Sequence, residues 1–158
     1  MWKRWSIIRQ AKLVLVRFLR LRGTPDEVAK GFALGIFLGM TPTFGFQMAM
    51  AVFFALLLRE NRLAALIGVW ISNPFTAPFI YAAEYEIGRI LLGMDRVRLS
   101  IQFNFDTFKS LSWEVYLPMW LGSLFLGTVC AVICYSLTLR LLPNLQRLRI
   151  PRWPRKRP

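Results

Sequence analysis

Apolar positions dominate three long stretches of the chain, and two of them are interrupted in the same manner. Residues 32–58 run for 27 positions without a charge, broken in the middle by Thr41-Pro42-Thr43-Phe44-Gly45. Residues 63–83 are also uncharged and are broken by Asn73-Pro74-Phe75-Thr76-Ala77-Pro78. Paired hydrophobic segments interrupted by Pro and Gly mark discontinuous membrane helices. The third stretch, Val115 to Leu139, has 25 uncharged residues, enough at about 1.5 Å per residue for a hydrocarbon core of roughly 30 Å.

Local signals divide these stretches into elements. Residues 2–22 read as a basic amphipathic helix, with Trp2, Trp5, Ile8, Leu15, Phe18 and Leu19 on one side, suited to the headgroup zone or to packing on the rest of the chain. Gly23 ends it. Thr24-Pro25-Asp26-Glu27 is a strong helix start: a capping hydroxyl, a proline suited to the first position and a Glu that closes a capping box. That helix runs to about Met40. A second is expected over 46–58, half-helices over 63–72 and 79–94, a mixed-charge segment over 95–113, and a last helix over about 114–142 that stops at Pro143. Arms near 13 residues, about 20 Å, are too short to cross a bilayer comfortably. The expected fold is all-α: a polytopic membrane helical bundle with two Pro-broken or re-entrant helical hairpins and one long C-terminal transmembrane helix. Three regions follow: 1–23 as the interfacial helix, 24–142 as the membrane domain, 143–158 as a basic cytoplasmic tail.

Composition supports a membrane class, with 56% hydrophobic residues. The net charge of +13 is compatible with nucleic-acid binding until its distribution is considered. Fourteen of the 21 basic residues lie in residues 1–22 and 140–158, where there is no acid. Basic flanks around an apolar block place both termini in the cytoplasm and make anionic phospholipids the expected partner, with no nucleic acid. Parity then requires residues 25–94 to cross an odd number of times. One solution makes 28–58 a re-entrant hairpin, keeps Arg59–Arg62 inside and crosses with 63–94 as one broken helix. A block with three crossings also fits. No cleavable signal peptide is expected.

The chemistry available is narrow. The chain has no histidine, which excludes His-based triads, His metal sites and His switches. Cys130 and Cys134 share a helix face, but two soft ligands do not make a zinc site, and they read as small packing residues. No catalytic residue, metal or cofactor is expected. Gly31, Gly35 and Gly39 form a stripe that admits close approach by another helix, in the same chain or in a second subunit. Thr41, Pro42, Thr43 and Gln47 at the first break, with Asn73 and Thr76 at the second, form an expected substrate site. Helices starting there would direct N–H groups and positive dipole ends at a phosphate or carboxylate. The competing reading is that these polar groups only satisfy the broken backbone. Glu86 and Arg89 are spaced to pair, whereas Glu84 lacks an obvious partner and joins the site residues as the best proton carrier. Lys30 is expected to snorkel.

The strings Gly39-Met-Thr-Pro-Thr-Phe-Gly-Phe-Gln47, Arg59-Glu60-Asn61 and Trp70-Ile-Ser-Asn-Pro-Phe-Thr-Ala-Pro78, followed by Tyr81, Tyr85 and Gly88, resemble the bacterial membrane family called domain of unknown function 2062. The resemblance covers roughly residues 20–140. It implies a small bacterial inner-membrane protein. Some relatives resemble fusions to glycosyltransferase-like domains, which implies cell-envelope chemistry. The motif positions carried over are Gly39, Pro42, Gly45, Gln47, Asn61, Asn73, Pro74, Thr76 and Pro78, and no catalytic role comes with them. Two functions are therefore expected. One is transport or translocation of an anionic or phosphate-bearing lipid-like substrate. The other is a non-catalytic anchor or partner of an envelope-synthesis enzyme such as a glycosyltransferase, with a homo-oligomer also open. A polar cavity joining the breaks would favour the first, a dry packed core the second.

Overall fold

The computed structural model describes residues 23–43, 45–95 and 105–147, together with residue 21, and within the last segment side chains are described from 113 to 144. Apart from residue 21, the expected amphipathic helix over 2–22 lies outside the described residues, as do Phe44 of the first break, the segment 96–104 and the end of the tail. Among the described residues the fold is all-helical. Five helices follow in order: α1 (Pro25–Met40), α2 (Gln47–Leu57), α3 (Arg62–Val69), α4 (Ala77–Leu92) and α5 (Phe105–Arg147).

Helix α1 begins as its sequence dictates. The Thr24 hydroxyl accepts from the Glu27 amide at 3.2 Å and the Glu27 carboxylate accepts from the Thr24 amide at 3.3 Å, a complete capping box. After the first break the chain turns back along α2, and it returns to its starting level: the Asn61 amide donates to the Glu27 carbonyl at 3.3 Å. Residues 25–58 thus form a helical hairpin. The Asn61 side chain then caps α3, accepting from the Ala64 amide at 2.9 Å.

The glycine stripe decides how α1 meets α3. A Cβ at Gly31, Gly35 or Gly39 would fall on the backbone of Asn61, Ala65 or Val69, respectively. The constant offset means that α1 and α3 run parallel, with backbones in contact. Gly68 returns the fit, since a Cβ there would meet the Phe32 carbonyl and Ile36 amide. The partner of the stripe lies in the same chain. Alanines fill the remaining space: Ala51, Ala55 and Ala65 are buried with Leu38 and Val69.

Helix α5 runs antiparallel to α1 and is pinned near both of its ends. The Tyr135 hydroxyl bonds the Asp26 carboxylate at 2.9 Å and the Tyr116 hydroxyl donates to the Pro42 carbonyl at 3.1 Å. A second glycine pair sets α4 on α5. A Cβ at Gly88 would collide with the Pro118 carbonyl and one at Gly122 with the Glu84 carbonyl, so these helices are also antiparallel. It follows that α3 and α4 advance in one direction, as two parts of a broken helix.

Two boundaries differ from the sequence reading. Residues 105–113, expected as part of a mixed-charge segment ahead of the last helix, belong to α5, and the helix passes through Pro143 to Arg147. The segment 105–113 holds no Gly or Pro, and extending an existing helix costs far less than starting one. Proline removes one intrahelical bond, which the surrounding helix tolerates at both Pro118 and Pro143. The tail expected from 143 accordingly starts as helix, and the fourth half-helix spans 77–92 rather than 79–94.

Within α5, Trp113–Asn144 is long and apolar enough to cross a membrane by length and composition. Only 22% of its most apolar window is buried against the rest of the bundle. Apolar side chains also face outward elsewhere, among them Phe53 and Leu57 on α2, Phe75 within the second break and Phe79 on α4.

Candidate functional site: the joint of the two helix breaks

The two breaks meet at Gln47, the first residue of α2. Its carboxamide nitrogen donates to the Thr41 carbonyl at 3.2 Å and to the Tyr81 hydroxyl at 3.0 Å. Its oxygen accepts from the Ser72 hydroxyl at 3.0 Å. One side chain therefore ties the end of α1, the end of α3 and the start of α4. Gln47 and Ser72 are both buried, so the bonds to Thr41 and Ser72 are shielded from competing water, whereas the bond to Tyr81 is partly exposed.

Other polar groups serve their own turns. At the first break the Thr41 hydroxyl donates to the Leu38 carbonyl at 2.6 Å and lies 3.1 Å from the Thr43 hydroxyl. At the second, the Asn73 carboxamide oxygen accepts from the Phe75 and Thr76 amides at 2.9 and 3.1 Å. The Thr76 hydroxyl donates to the Ile71 carbonyl at 2.6 Å and accepts from the Asn73 amide at 3.0 Å. The start of α4 has no free amide: Ala77 donates to Asn73, Phe79 and Ile80 donate to Thr76, and Pro78 has no N–H. The second helix start expected to present N–H groups is thus closed. Neither start has a side-chain cap, and in α2 the N-cap residue is Phe46.

Gln47 and Asn73, 26 positions apart, line one open cleft of about 240 Å³. Met48, Val69, Trp70 and Pro74 supply apolar walls. Glu84 lies outside this cleft. Its side chain is wholly buried, and neither carboxylate oxygen has a hydrogen-bond partner. Glu86 and Arg89 pair at 2.8 Å on a more exposed side of α4. Arg89 also donates to the Met94 carbonyl beyond the helix end.

The family model for DUF2062, described as an uncharacterized protein conserved in bacteria, matches residues 8–150. The chain belongs to the DUF2062 family. The match spans both breaks and every helix described. No curated protein and no solved structure matches the chain. In this DUF2062 protein, Ser72 and Tyr81 complete the joint although the sequence assigned them no role. The available signal was polarity in an apolar run: a tyrosine hydroxyl or serine placed there needs a partner.

The remaining expectations concern Lys30 on α1 and the two cysteines on α5. Lys30 reaches Asp26 at 2.6 Å rather than extending alone. That hydrogen bond, reinforced by the Tyr135 hydroxyl, holds the Asp26 carboxyl below its ordinary range. Glu60, in the turn after α2, is pushed upward by burial. Cys130 and Cys134 are unpaired thiols, both half-buried along α5. Among the described residues no group of His, Cys, Asp and Glu is arranged to hold a metal.

Proposed function

We propose that this DUF2062 protein is an integral protein of the bacterial inner membrane, with residues 25–58 as a re-entrant hairpin and both termini in the cytoplasm. In this reading α3–α4 crosses as a broken helix and α5 crosses once in return. The outward apolar side chains on α2, α4 and α5 support lipid around the whole bundle. The hairpin's return to its own starting level supports re-entry, because Arg59–Arg62 then remain on the side of the basic ends. The basic ends contact anionic phospholipids.

The function we propose is binding and translocation of a lipid-like substrate with an anionic head, at the joint of the two breaks. The observation that carries this is Gln47, which links both breaks on the wall of a cleft where Ser72 and Asn73 are the other polar side chains and the rest of the lining is apolar. Apolar walls suit the tail of an amphiphile. The positive end of α2, uncapped by any side chain, suits a phosphate or carboxylate. Alternating access would separate the α1–α2 hairpin from the α3–α4 break.

The test is transbilayer movement of fluorescent phosphatidic acid in vesicles of phosphatidylethanolamine and phosphatidylglycerol. Vesicles holding the protein should exchange the probe faster than empty ones, and Gln47→Ala should slow this. A rate equal to that of empty vesicles, with unchanged envelope lipids in cells lacking the protein, sinks the transport reading. The second reading is a membrane partner of an envelope enzyme such as a glycosyltransferase. It is favoured by the internal saturation of Asn73 and Thr76 and by the backbone-to-backbone packing at the glycines, which are features of a fixed scaffold.

A further inference from the structure

Glu84 occupies a position that the joint does not explain. It sits on α4, with its backbone against Gly122 of α5, and its side chain is 0% exposed. Both carboxylate oxygens lack partners. The titratable groups coupled to it are Tyr81 of its own helix and Cys130 of α5, neither of them a cation. Arg89 is engaged by Glu86 and by the Met94 carbonyl. Between Gly31 and Leu58, α1 and α2 contain no titratable side chain at all, and α3 offers only Arg62 at its far end. An ionised carboxylate in such a place is strongly disfavoured, with nothing to offset its lost hydration. A neutral carboxyl costs far less.

We propose that Glu84 is a proton-binding site whose occupancy is coupled, through Tyr81, to the joint of the two helix breaks. The inference rests on the reading that α3–α4 lies within the bilayer, but not on the identity of any transported substrate. A metal cation would need several oxygen ligands, whereas a proton needs one, and the site supplies one carboxyl group. Tyr81 lies three residues before Glu84, on a neighbouring face of α4. It accepts from Gln47, which leaves its own hydroxyl hydrogen able to turn toward a new acceptor. Ionising Glu84 makes its carboxyl group a stronger, charged acceptor. Donation to Glu84 would draw the Tyr81 hydroxyl toward the carboxylate and loosen its contact with Gln47, which also holds Thr41 and Ser72. By reciprocity, a ligand that opens the joint would lower the proton affinity of Glu84.

The experiment uses the full chain in detergent and in phospholipid vesicles, treated with dicyclohexylcarbodiimide, an apolar reagent that attacks protonated carboxyl groups. Mass spectrometry locates the adduct. Glu84 should be labelled ahead of Glu60, Glu86 and Glu114, with a rate that falls about tenfold as the medium goes from mildly acid to strongly alkaline. Glu84→Gln, a neutral isostere, should fold with unchanged melting temperature and lose only this adduct. If that variant does not fold, labelling of the wild-type chain decides by itself. Tyr81→Phe should shift the pH dependence of labelling, and an unshifted profile removes Tyr81 as the link. Labelling that ignores pH, or that spares Glu84 while exposed carboxyls react, overturns the proton site. Protection by sodium chloride but not by choline chloride also overturns it, in favour of a metal cation. Loss of probe movement with labelling intact counts against the transport reading alone.

Discussion

Arg59 adopts φ 59°, a left-handed conformation that ordinary side chains avoid. It stands just past the end of α2, where its amide donates to Leu56 and the Glu60 amide reaches back to Ala55, the bond pattern of a Schellman cap. Glycine normally takes this place. Arg59→Gly should therefore raise stability in detergent by about 1 kcal/mol, read from denaturation midpoints. An unchanged or lower midpoint would mean that the guanidinium makes a compensating contact. The exposed Asp26–Lys30 pair gives a prediction about pH. Asp26 has a lowered pKa in the fold, so its contribution is present above the ordinary value of 3.8 and disappears as pH falls through the depressed value. The wild-type melting temperature should drop more steeply than that of Asp26→Asn in that acid window. Parallel slopes would show the pair to be inert.

Between elements, contact is made by what is missing from the side chains. Gly35 lies so close to Ala65 that any Cβ enters its carbonyl group. Gly35→Leu should consequently cost more stability than Leu38→Ala, whose truncation of a buried side chain costs about 2–5 kcal/mol. Thermal denaturation in detergent ranks the two, and a milder glycine variant would deny the parallel packing of α1 on α3. The cap of the second break behaves differently. Asn73 uses its carboxamide oxygen on two backbone amides, a task that Asp or Ser also performs. Asn73→Ala should cost about 1 kcal/mol, whereas Asn73→Asp and Asn73→Ser should retain most of the stability. Equal losses for all three would point to a role for the carboxamide nitrogen.

For the whole molecule, the proposed topology puts both basic ends in the cytoplasm. Single cysteines at positions 2 and 155, in a chain with Cys130 and Cys134 replaced by serine, should both resist an impermeant thiol reagent added to intact cells. Both should react once the inner membrane is opened. Reaction of either end from outside would reverse the hairpin assignment and require a different number of crossings in residues 25–94.

Much of this was legible in the chain itself. The capping box at Thr24–Glu27, the glycine stripe, the two Pro-containing breaks and the Glu86–Arg89 pair are set by residues a few positions apart, and local physics acts over that range. The extent of α5 was less legible, because Pro143 was read as a stop although a helix already formed on both sides carries one missing bond. Tertiary structure alone decided the rest. It placed α3 on the glycines of α1, which put Gln47 within reach of Ser72 and Tyr81. It also closed α4 over Gly122, leaving Glu84 buried without a partner. Those contacts join positions 25 to 38 residues apart along the chain, and their geometry depends on which backbones can touch, a quantity that no local pattern of hydrophobic and polar residues encodes.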